Sequence, residues 1–116
     1  MGENMRSHRW HFLLCLSFAV AAPALAHDKA DQLGKVTFQT SCSPKVQAQF
    51  ETGVAMLHSY WFGEARKVFE AVLKDDPGCA IAYWGIALDY LGNSLAAPPS
   101  PKNAQLAWEA LEKAGT

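Results

Sequence analysis

Residues 57–87 read LHSYWFGEARKVFEAVLKDDPGCAIAYWGIA. A helix ends in an aromatic turn, an amphipathic helix follows, an acidic turn with a proline stops it, and an Ala-rich helix begins. In the middle piece Ala65, Val68, Phe69, Val72 and Leu73 share one helical face, while Arg66, Lys67, Glu70 and Lys74 lie mostly on the other. That 3.6-residue pattern belongs to an element with one side in a core. Gly63 stands just before it, where a glycine allows the left-handed turn that lets a chain reverse. Asp75, Asp76, Pro77 and Gly78 stop it, because proline cannot continue a helix and disfavours helical geometry in the residue before it.

Upstream, Ser43 and Pro44 form a helix start, the hydroxyl capping free N–H groups and the proline tolerated in the first turn. From there Val46, Phe50, Val54, Leu57 and Trp61 fall at spacings of 4, 4, 3 and 4, one face of a helix that breaks around Tyr60 to Gly63. Downstream, a third helix is expected from about Cys79 to Leu91, ended by Gly92, Asn93 and Ser94. A proline-rich loop follows at 93–102. Asn103 is expected to cap a final helix, Ala104 to Ala114, in which Leu106, Trp108, Leu111 and Ala114 recur. Residues 27–42 read as a polar, extended lead-in whose alternating Val36 and Phe38 can dock on the domain. No segment after residue 26 shows a sustained run of β-branched alternation, so the expected class is all-α, with a helical domain at 43–116.

Residues 1–26 have the three parts of a secretory signal. Arg6 and Arg9, with His8 and His11, form a positive start; residues 12–22 are an apolar run; Ala24, Leu25 and Ala26 give a small-x-small cleavage site. The apolar run is shorter than the roughly 20 residues of a membrane span, so no span is expected after cleavage. Cys15 follows Leu14 rather than the small residue that lipoprotein processing prefers. The expected location is outside the cytoplasm, periplasmic or secreted. Two cysteines, Cys42 and Cys79, survive signal removal. In an exported chain they read as a possible disulfide closing a loop of about 38 residues, or as two buried, unlinked thiols. A zinc site has neither a Cys-x-x-Cys pair nor histidines at ligand spacing to support it.

Val46 and Ala80 stand 34 positions apart, and each begins a similar helix. A self-similar period of 34 residues belongs to the tetratricopeptide repeat (TPR). One full unit covers 46–79, and a second starts at 80 and is interrupted by the loop at 93–102. In the first unit Gly53 takes the small position where the hairpin helices touch. Ala65 takes the matching small position, Phe69 the large position that plugs the next unit, and Pro77 the terminal proline. In the second, Tyr83 replaces the usual Trp, and Ala87 and Tyr90 sit at the small and Tyr positions. Antiparallel helices approach closely only where small residues face one another, with large ones filling the spaces beside them.

The stretch 57–87 further resembles a group of bacterial exported TPR proteins that share a His-Ser-aromatic-aromatic turn and an acidic-Pro-x-Cys-Ala turn. The resemblance extends over about residues 35–114. It implies antiparallel helical hairpins in a right-handed superhelix, here short or truncated, since relatives tend to continue through many more helices. It implies no catalytic residues. It also implies a concave surface made by the first helix of each hairpin: Gln47, Phe50, Val54, Leu57 and His58 from the first unit, Ile81, Trp84, Leu88 and Leu91 from the second. The Lys, Arg and Asn with which some TPR domains grip a chain-terminal carboxylate are not at these positions. An apolar groove suits a hydrophobic or amphipathic protein segment. Equally, the lead-in, the last helix or a second copy can cover the same residues.

The formal net charge is −1 at pH 7, with neither sign clustered. Nucleic-acid binding needs a basic face, and none is visible. No phosphate loop, His-Glu-x-x-His, Gly-x-Ser-x-Gly or calcium loop occurs. His58 and Cys79 lie at opposite ends of hairpin elements, so the expected histidine is structural. Asp75 and Asp76 sit in a turn where acids favour solvent. His27, freed by cleavage, could bind copper only with a second histidine, and only His58 remains. The expectation is therefore a non-enzymatic interaction module without cofactor or metal, holding a protein segment or a second copy of itself. The alternative is a fragment or accessory of a longer solenoid, stabilised by dimerisation and with no groove ligand.

Overall fold

The computed structural model describes residues 33–116. The leader at 1–26 and His27 lie outside them, as does the lead-in before Leu33. The described residues contain four helices and no strand: α1 (Pro44–His58), α2 (Glu64–Asp75), α3 (Ile81–Leu91) and α4 (Pro101–Ala114).

The same dipeptide starts the first and last helices. Ser43 Oγ accepts from the Lys45 N–H at 3.4 Å ahead of Pro44. Ser100 Oγ accepts from the Asn103 N–H at 3.2 Å ahead of Pro101. The cap of α4 is therefore Ser100, three residues before the Asn103 expected from sequence, because a Ser-Pro pair supplies both the acceptor and a preset φ. α1 also ends before Trp61. Tyr60 takes the left-handed conformation (φ 57°). Its N–H donates to the Leu57 carbonyl at 3.1 Å, and the Trp61 N–H donates to that of Met56 at 3.0 Å. These two bonds close a Schellman motif that satisfies the last carbonyls of α1, and they place Trp61 in the turn rather than on the helix face.

The chain direction follows from which ends meet. The N–H of Ser43, before α1, donates to Oδ2 of Asp76, just after α2, at 2.8 Å. Cys42 is disulfide-bonded to Cys79, ahead of α3, with Cα atoms 4.8 Å apart. At the opposite end, the N–H of Gly63, before α2, donates to Oδ1 of Asp89, late in α3, at 2.6 Å. Hence α2 runs antiparallel to both α1 and α3. α4 then packs on α3, burying Ala107 and Ala110.

Asp89 is only 5% exposed. A buried carboxylate is costly unless each oxygen finds a partner. Oδ1 has the Gly63 N–H, at the positive end of the α2 dipole, and Oδ2 lies 3.1 Å from Arg66 Nη1. The guanidinium in turn stacks on Tyr90 at 4.5 Å. No buried side-chain N or O atom among the described residues lacks a hydrogen-bond partner.

The core is centred on Phe69, wholly buried between α1 and α3. Full burial of such a ring contributes about 1.5–3 kcal/mol. Gly53 and Gly85 flank it: a Cβ at Gly53 would lie 2.8 Å from Phe69 Cε1, and one at Gly85 2.5 Å from Cε2 and Cζ. The atoms nearest to a Cβ at Gly53 thus belong to Phe69, ahead of any atom of the Ala65 expected to match it. Ala65, Val72 and Ala87 are also buried. Tyr83 and Tyr90 are half-buried, while Pro77 is exposed in the turn, where it ends α2 without packing.

Candidate functional site

α1 and α3 touch each other as well as α2, and between them runs an apolar groove of about 290 Å³. Val54, Leu57 and His58 come from α1, Trp84 and Leu88 from α3. The two turns complete it. The left-handed turn after α1 contributes Tyr60 and Phe62, and the chain leaving α3 contributes residues 92–95. Its rim is open: Tyr60 is 60% exposed and Leu95 89%. Five of the nine groove residues expected from sequence line this space, and Gln47 and Ile81 lie outside it. Phe50 does not, being fully buried against Phe69 with ring centroids 5.5 Å apart. Leu91 is half-buried against the core.

The other end of this face is covered by the chain itself. Residues 36–40 run extended along α1. The Phe38 N–H donates to Glu51 Oε1 at 3.0 Å, and its carbonyl accepts from Gln47 Nε2 at 2.7 Å. Two residues on, the Thr40 hydroxyl donates to Gln47 Oε1 at 2.8 Å and the Thr40 N–H donates to the same oxygen at 3.3 Å. Gln47 and Glu51, one turn apart, are joined by a 3.0 Å hydrogen bond. The Phe38 ring meets Phe50 at 5.5 Å and Trp84 at 5.9 Å. Alternation of Val36 and Phe38 made docking of the lead-in legible. The roles of Gln47 and Glu51 were not, because amide and carboxyl side chains on a helix surface give no signal of what they hold.

The Phe38 N–H and then the Gln47 amide hold the Glu51 carboxyl below its ordinary 4.5; burial opposes them, and the Lys35 charge adds the smallest lowering effect. A depressed folded value means that the contact contributes fully above the ordinary value and is lost as pH falls through the folded one. Acidification is therefore expected to release the Phe38 N–H while raising the pH above neutrality leaves it in place. The Phe38 amide resonance followed by NMR from pH 7 to 3 reads this out. Glu51→Gln is expected to flatten the profile, and a wild-type profile no different from that of the variant contradicts the assignment.

Among the described residues, the potential metal ligands that come together are already occupied. Cys42, Cys79 and Asp76 bring potential ligand atoms within 4.8 Å of one another, yet the two sulfurs are bonded to each other and offer no thiolate. Asp76 is occupied by the N–H groups of Ser43 and Gly78. His58 is exposed at the end of α1, and Cys79, oxidised and buried, starts α3 at the other end of the stack. A second groove, of about 250 Å³, lies between α2 and α4 over α3, with Tyr83 and Tyr90 in its floor and Glu70, Glu109 and Lys113 at its edges. On α4, Trp108 is 59% exposed and Leu111 43%.

Comparison with family models, with curated proteins and with solved structures yields no match to this chain. Among the described residues no helix is long and apolar enough to cross a membrane.

Proposed function

We propose that the chain is an exported, non-enzymatic interaction module of TPR-like helical hairpins, which holds an apolar or amphipathic protein segment against the face formed by α1 and α3. The observation that carries this is the open groove of Val54, Leu57, Trp84 and Leu88, rimmed by exposed Tyr60 and Leu95. An exposed apolar concavity gains affinity from the area a partner removes from water. The alternating helix directions, with a large ring packed between small positions, support the repeat architecture, and the leader sequence at 1–26 supports export. A second reading, the front of a longer solenoid or one half of a dimer, has a separate observation behind it, the exposed Trp108 and Leu111 on α4.

Light scattering and a peptide titration distinguish the two. A monomer that binds a leucine-rich amphipathic peptide at micromolar concentration is expected, with Leu88→Asp weakening it at least tenfold, about 1.4 kcal/mol. A dimer that Trp108→Glu dissociates, with no peptide binding in either state, supports the second reading and removes the first.

A further inference from the structure

Residues 36–40, neither a helix nor a strand, are held on the helices by the main chain of Phe38 and by the N–H and hydroxyl of Thr40 on one side and by two side chains, Gln47 and Glu51, on the other. Those two side chains read both the N–H and the carbonyl of Phe38, contacts any extended peptide can make whatever its sequence. Selectivity comes mainly from the ring, which rests on Phe50 and Trp84, with the Thr40 hydroxyl on Gln47 adding a second side-chain contact. Phe38 remains 36% exposed, so it sits at the rim and outside the core. Trp84 also lines the open groove, which makes the covered and open portions one continuous surface.

We propose that residues 36–40 are a displaceable strap, an intramolecular ligand on this surface, and that the external partner is an extended peptide segment presenting an aromatic side chain in the place of Phe38. The inference rests on the α1–α3 face being a binding surface and specifies what it takes: a main-chain N–H and carbonyl read by Glu51 and Gln47, with an aromatic ring stacked on Phe50 and Trp84. The disulfide at Cys42 anchors one end of the strap, so it can swing aside without leaving. A tether of so few residues gives the strap an effective concentration in the millimolar range. A competitor therefore meets an apparent affinity reduced by the fraction of molecules with the strap open.

The probe is a fluorescein-labelled peptide of residues 35–41, KVTFQTS, followed by anisotropy against the full disulfide-bonded protein. Phe38→Ala is expected to bind it at least tenfold more tightly than the wild type, and a peptide with alanine in place of the phenylalanine is expected to lose that gain. In the wild type, excess peptide is expected to speed hydrogen exchange at the Phe38 and Thr40 amides, a readout that needs no variant. Equal binding by wild type and a helical, folded Phe38→Ala protein overturns the proposal, as does unchanged exchange at saturating peptide. If the leucine-rich peptide still binds and Leu88→Asp still weakens it, the groove survives that failure. If KVTFQTS behaves as expected while the leucine-rich peptide ignores Leu88→Asp, the strap stands and the open groove is not the site.

Discussion

Removing the Cys42–Cys79 bond is expected to lower the thermal unfolding midpoint by roughly 20 °C, a loss of about 4 kcal/mol. The bond closes a loop with a sequence separation of 37, and cross-linking a loop of that length takes about that much conformational freedom from the unfolded chain. A small domain has about 5–15 kcal/mol in total, so the loss is a large share. It also joins the end with fewer polar links between helices. At the end where α1 and α3 begin, the other link described above is the Ser43 N–H on Asp76; the far end has the buried Asp89 with Gly63 and Arg66. Reduction should therefore loosen one end first.

Far-UV circular dichroism of Cys42→Ala/Cys79→Ala, and of the native protein with and without reductant, measures the effect. Hydrogen exchange should rise earlier at Val46 and Ala82 than at Asp89. A midpoint shift under about 5 °C would show that the packing of Val46, Phe50 and Ala82 holds that end without the bond.

The helices were legible because their signals are local. Ser43-Pro44, the spacing of Val46, Phe50 and Val54, and the Asp-Pro-Gly turn each act within a few residues, and burial of the same side chains reinforces them. What escaped depends on partners distant in the chain. Asp89 reads as one more surface acid until Gly63, 26 positions earlier, donates to it. The left-handed turn was assigned to Gly63 alone, whereas an aromatic residue, Tyr60, also adopts it, since the Schellman bonds outweigh the penalty of a Cβ there. The groove residues on α1 and α3 are those that the repeat resemblance implies. The parts added by residues 60–62 and 92–95, and the segment covering Phe50, depend on how turns fold back, which no periodicity encodes. The two cysteines alone could not decide between a bond and free thiols; the approach of the α1 and α3 starts decides it.

Gly85 gives the other large effect. Repeat phase points to Ala87 as the small position of α3, yet the ring of Phe69 is seated on Gly85. Replacing an interior helix glycine by alanine ordinarily gains about 1 kcal/mol from backbone propensity alone. Here the new Cβ would stand 2.5 Å from two ring atoms of a fully buried phenylalanine. The ring has little room to retreat, because the backbone of Gly53 faces its other edge so closely that a Cβ there would lie 2.8 Å from Cε1. Overpacking of this kind costs about 1–3 kcal/mol and at times more. With contact on two atoms and little room behind them, the upper part of that range applies, and Gly85→Ala is expected to lose about 2 kcal/mol net of propensity. Gly53→Ala, with slightly more space, should lose about half as much. Phe69→Leu removes the offending atoms at the cost of a small cavity. The double variant Gly85→Ala/Phe69→Leu should then be more stable than the sum of its parts by about 1 kcal/mol or more. Urea denaturation of the parent, Gly85→Ala, Phe69→Leu and the double variant measures that coupling. Strict additivity, or a Gly85→Ala protein as stable as the parent, would mean that α3 can slide away from α2 without loss, and the close approach at Gly85 would no longer account for the glycine.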